Sequence, residues 1–192
     1  MKITTEKQQQ IIDAYFSLAE EKKGKRISLK MIAEKIGIRR ESIIKYHFKN
    51  TDAILNHIHK IIEQDLTQMF EDFLDCGKGS EEDMINFIKQ DFLPFLYSKK
   101  EWMRLLYYTG MDPYWIQFLE DKYTPLAVIY IERQGNNSNV PTEFLARIIV
   151  KQIMGITSAW LMADKAEPSS LFADKFIEAM KMAPFEILSK KP

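Results

Sequence analysis

Apolar side chains recur every three to four positions along almost the whole chain, and no stretch alternates apolar with polar residues between hairpin-type turns. The pattern predicts an all-α protein of about nine helices. The first runs from near Thr5 to Lys22 on a stripe of Ile11, Ile12, Tyr15, Phe16, Leu18 and Ala19, with Gly24 as its stop. Ser28 caps a short helix over 29–35, a second short helix covers 39–47, and Thr51-Asp52 open a long one through Ile54, Ile58, Ile62, Leu66 and Phe70. Ser80 and Asp83 cap a helix reaching toward Tyr97 with Pro94 as a kink, 102–109 is short, and Asp112-Pro113 begin a helix to about Arg133 across Pro125. Beyond the polar loop 135–139, Pro141 starts a helix to Asp164 and Pro168 one to Leu188. The apolar faces of these last two are wider than one side of a bundle needs, which predicts a two-fold partner across Ile149, Ile153, Ile156, Trp160, Phe172, Phe176 and Met180.

Composition narrows the class. With 192 residues, 46% hydrophobic and 28% charged, the chain can bury a real core. Its longest stretch without Asp, Glu, Lys or Arg is 12 residues, Gln152 to Ala163, against the ~20 that cross a bilayer. The polar start offers no secretory pattern, so a cytoplasmic protein is expected. The one cysteine, Cys76, has no partner for a disulfide or a zinc site. Net charge is zero but unevenly spread: residues 1–50 carry 12 basic against 6 acidic side chains, and the remainder 15 against 21. A basic end suits a polyanion, because each neutralised phosphate releases condensed counterions.

Within that basic end, two short helices meet at a glycine turn with a third helix before them, the ingredients of a helix-turn-helix DNA reader. Ala33 permits close helix approach and Gly37 the sharp turn. Ile32, Ile36, Ile38, Ile43, Ile44 and Phe48 are expected to hold the unit together. Arg39, Arg40, Glu41, Ser42, Lys45 and Tyr46 are left to face outward, with Ser28, Lys30, His47 and Lys49 beside the DNA backbone.

At these residues the sequence resembles the TetR/AcrR family of one-component bacterial transcription regulators. The likeness lies in Ile32-Ala33, Gly37-Ile38, Tyr46-His47-Phe48-Lys49-Asn50 and the pair Ile54-Leu55. It implies a DNA-binding head over 1–50, a ligand-binding and dimerisation body over 51–192, a dimer through the last two helices, and release of a palindromic operator by a small molecule. The chain departs from the commonest family pattern by one extra residue between Gly37 and Phe48, and Lys45 stands where a tyrosine is usual. Lys45 or Tyr46 is then expected to make the phosphate contact.

The middle of the chain concentrates aromatic rings and sulfur. Given a DNA-binding head, Trp102, Met103, Tyr107, Tyr108, Met111, Trp115, Phe118, Tyr123 and Met154 become candidates for a pocket that takes an apolar or planar effector. His57 and His59, two apart on a helix, face different ways and do not form a metal pair. No nucleophile triad, phosphate loop or metal motif is present, so neither catalysis nor a cofactor is expected. The expected function is a DNA-binding repressor, a homodimer released by an apolar small molecule. The alternative is a non-enzymatic all-α dimer with a nucleic-acid-binding head and no effector.

Overall fold

The computed structural model describes residues 4–22, 26–77, 79–108, 112 and 114–182, without the side chain of Tyr108. Among these residues the chain is all-helical: α1 (Glu6–Lys22), α2 (Leu29–Ile36), α3 (Arg40–Tyr46), α4 (Thr51–Asp75), α5 (Glu81–Phe87, a π turn Ile88–Phe92, then Leu93–Ser98), α6 (Lys100–Tyr108), α7 (Trp115–Gln134), α8 (Thr142–Leu161) and α9 (Ser169–Lys181). The expected stop at Gly24 and the expected extension of α9 through Ala183 to Leu188 lie outside the described residues. The chain divides into two compact units, one of Met1–Gln68 with Arg104–Pro113, the other of Met69–Met103 with Tyr114–Pro192.

In the first unit, α1 starts in a reciprocal cap: Thr5 Oγ1 accepts from Gln8 N–H and Gln8 Oε1 accepts from Thr5 N–H. Its stripe of Ile11, Ile12, Tyr15, Phe16, Leu18 and Ala19 is buried, together with Ile32 and Ala33 of α2, Ile43 of α3 and Ile54, Ile58 and Ile62 of α4. The two histidines of α4 have different surroundings. His57 stacks edge-on against Phe48 at 5.4 Å and bonds Thr4 Oγ1 at 3.1 Å. His59 Nε2 pairs with Asp112 Oδ2, the imidazole 12% and the carboxylate 4% exposed. Asp112 therefore does not open the next helix, as its place before Pro113 predicts; α7 starts three residues later at Trp115, and the carboxylate is taken by a histidine 53 positions back. Burial, reinforced by the carboxylates of Asp112 and Asp52, pushes the Tyr15 phenol up to about 12.

Burial, with Lys60 beside it, lowers the His57 pKa from its ordinary 6.5. A base that is harder to protonate when folded gives stability that is full above 6.5 and is lost as pH falls through its lowered folded value. The melting temperature of the first unit is expected to drop between pH 7 and pH 5, and His57→Gln to flatten that slope. An unchanged slope in the variant would assign the acid sensitivity to other groups.

In the second unit, Ser80 and Asp83 form the expected capping box on α5. Pro94 has no N–H and its ring presses on the carbonyl four residues back. The helix widens into the π turn just before it, with Leu93 N–H reaching Ile88 O. Pro125, by contrast, sits exposed in an unbroken α7. α8 packs lengthwise on α7, burying Ala146, Val150, Met154, Thr157, Trp160 and Leu161. α8 is the one described helix long and apolar enough to meet the length and composition test for a membrane span. Lys151, which pairs with Glu120 of α7, and the Glu143–Arg147 pair lie on its outer side.

Candidate nucleic-acid interface

The α2–α3 unit is fixed at both ends of its turn. Ser28 Oγ accepts from Met31 N–H at 3.3 Å and starts α2. Gly37 ends it with φ 68°, a left-handed conformation that favours glycine, and both Gly37 N–H and Ile38 N–H donate to Ala33 O. Arg39 is extended and α3 begins at Arg40. At the far end of α3, His47 N–H and Phe48 N–H both bond Ile43 O at 2.9 Å, the second across five residues, and Phe48 drops into the core.

Ile43 is fully buried and holds α3 to the unit. The outward side of α3 carries Arg40, Glu41, Ile44 and Lys45, with Tyr46 67% exposed at its end and Lys45 Nζ 5.2 Å from the Tyr46 ring centre. Ser42 and His47 are half-buried, whereas Lys30, Arg39 and Lys49 are exposed. Lys30 makes only a loose 3.9 Å contact with Glu34. Among the described residues no ion pair ties up Arg39, Arg40, Lys45 or Lys49. Lys35, in contrast, is held by Glu21 of α1 at 2.6 Å.

Two features of this surface escape a reading from residue order. Arg26 is exposed just ahead of α2 and adds to the basic edge. Ile44 is a correction: expected in the core, it is 37% exposed, because neighbouring helical residues point about 100° apart and Ile43 already faces inward.

The pocket candidates are dispersed. Met103, Trp115 and Met154 are buried, and Trp102, Phe118 and Tyr123 are half-buried, all in the second unit. Tyr107 belongs to the first unit, and Met111 lies outside the described residues, as does the Tyr108 side chain. Trp115 stacks on Phe118 at 5.7 Å, Lys99 Nζ stands 5.2 Å from the Trp102 ring, and Tyr123 meets Phe70. The second unit is threaded by ring contacts that sequence order does not reveal. One run is Tyr130, Phe73, Phe87, Phe70 and Tyr123; another is Phe92, Phe176, Phe172, Trp160 and Tyr97, joined to the first through Phe92.

That second run corrects two of the expected dimer contacts. Trp160, 5% exposed, and Phe176, fully buried, are interior residues of the subunit, since both sit among rings of α5 and α9. Trp160 Nε1–H also donates to Glu167 O. Ile149, Ile153, Ile156, Phe172 and Met180 are half-buried. On these two helices the exposed large apolar side chains are Phe144 and Ile148, one turn apart on α8, and Leu171 on α9, at 59%, 43% and 65% exposure; Ile116 and Ile129 of α7 are exposed as well.

No family model matches the sequence, and no curated protein matches it. Among solved structures, one described as the dihydroxyacetone kinase operon activator DhaS matches with a TM-score of 0.57, at 18% identity, over 90% of this chain and 93% of that one. At that identity the likeness is one of fold, and the chain shares the all-helical fold of that activator.

Proposed function

We propose that the protein is a DNA-binding transcription regulator that acts as a homodimer on a palindromic operator and responds to an apolar small molecule. The observation that carries the reading is the α2–glycine–α3 unit, whose outward side presents Arg39, Arg40, Lys45 and Lys49 outside any ion pair among the described residues. Lysine and arginine held this way are placed for phosphates and guanine edges. The exposed Phe144, Ile148 and Leu171 on the last two described helices supply an apolar surface for a second copy. The TetR/AcrR resemblance implies repression, whereas DhaS carries the name of an activator. Whether a bound dimer represses or activates follows from where its operator lies relative to the promoter, so one fold serves either outcome.

A second reading, a DNA-binding dimer without an effector, is favoured by the ring-on-ring packing of the second unit, which treats its aromatics as core. The readings part on whether an apolar planar compound shifts operator affinity.

Selection of bound DNA from a random pool tests the DNA function directly. The expected product is a palindrome with half-sites about one helical turn, ~34 Å, apart. Affinity should fall steeply with salt, and alanine at Lys45 or Lys49 should reduce the slope of log K against log salt by about 0.9 for each phosphate no longer neutralised. Binding insensitive to salt would remove the basis of the proposal.

A further inference from the structure

On the outward side of α3 one side chain differs in kind from its neighbours. Arg40, Glu41 and Lys45 all carry hydrogen-bonding or charged ends, whereas Ile44, one turn beyond Arg40, presents only hydrocarbon and is 37% exposed. The inward anchor of the helix is the adjacent Ile43, which is fully buried. A phosphate offers an aliphatic group nothing, and the backbone's sugar carbons are the same at every base pair, so a sequence-dependent apolar partner has to come from a base edge. The major groove exposes one apolar group, the C5-methyl of thymine, and every other base edge there presents a polar atom. Isoleucine is branched at Cβ and keeps nearly one χ1 rotamer in a helix, so it loses little freedom when it packs on a fixed partner.

Resting on the DNA-binding reading above, we propose that Ile44 is a specificity-determining side chain that packs on the C5-methyl of one thymine in each half-site. Arg40 and Glu41, on the preceding turn, then face base pairs next to that thymine, and polar base edges opposite Ile44 are disfavoured because they would lose water without gaining a partner.

The test replaces thymine by uracil, which lacks only the methyl group, at each thymine of the selected half-site in turn. With the wild-type protein one such position is expected to weaken binding by about fourfold, the worth of one buried methyl, and substitution in both half-sites by about sixteenfold. Ile44→Ala should bind thymine-containing operator more weakly and lose the thymine–uracil difference at that position alone, while circular dichroism stays that of the wild type. Equal wild-type affinity for thymine and uracil at every position overturns the proposal, as does a difference that survives in Ile44→Ala. Failure of the selection to enrich any sequence overturns the DNA-binding reading and this proposal together, whereas an enriched palindrome without a uracil effect overturns only the role of Ile44.

Discussion

Replacing Asp112 by alanine is expected to lower the stability of the first unit by about 3 kcal/mol, the upper end of the usual cost of leaving a buried polar group without its partner. Its partner His59 then loses the carboxylate beside its Nε2, and the helix that carries it also carries the buried Ile54, Ile58 and Ile62. Asp112→Asn, which keeps an acceptor oxygen but no charge, should cost less than alanine. The pair His59→Leu with Asp112→Leu should recover much of the stability, because hydrocarbon of similar volume replaces a buried polar pair at little cost. Amide hydrogen exchange along α1 and α4 reads this locally and avoids assuming that both units unfold together. If Asp112→Ala exchanges within about 1 kcal/mol of the wild type, the pair contributes no more than an exposed one.

The second large effect concerns assembly. Phe144→Asp combined with Ile148→Asp puts two carboxylates on adjacent turns of the surface assigned to a second copy. Burying either costs several kcal/mol, which raises the dimer dissociation constant by more than about a thousandfold. Sedimentation should show monomers of wild-type helicity, and operator affinity should collapse because each half-site is then bound without the tethered second head. Intact dimers would move the interface elsewhere on the molecule. Charges at Trp160 or Phe176 cannot make this test: both are interior, and such variants would report folding instead.

Local signals make most of the helix ends legible. Ser28, Gly37, the Ser80–Asp83 box and Gly135 act within a few residues of themselves, so their chemistry is readable in order along the chain. Facing is harder wherever apolar residues surround a helix. In 142–161 and 169–181 apolar residues occupy more than one side of the helix, and periodicity cannot tell the side turned to the subunit's own rings from the side left for a partner; Trp160 and Phe176 therefore read as outward-facing when they are interior. Ile43-Ile44 poses the same question at the scale of two residues. The basic side chains of α3 are easier, since charge on a short helix with one buried anchor has only one side to go to. The Asp112–His59 pair is out of reach for a different reason: it joins residues 53 positions apart, and beside Pro113 the aspartate reads as an ordinary helix cap.

The widened turn at Ile88–Phe92 sets the angular phase of α5. An α-helix advances about 100° per residue, so one residue added within a turn sets back everything after it by that angle. Phe87 before the bulge, Phe92 at its end and Leu93 and Leu96 after it are all buried, although a continuous 3.6-residue count would spread them around most of the helix. Pro94 thus does more than interrupt hydrogen bonding. By holding the bulge in place it keeps two half-helices rotationally aligned, and the length of 88–92, more than its hydrophobicity, is what preserves a common inner face.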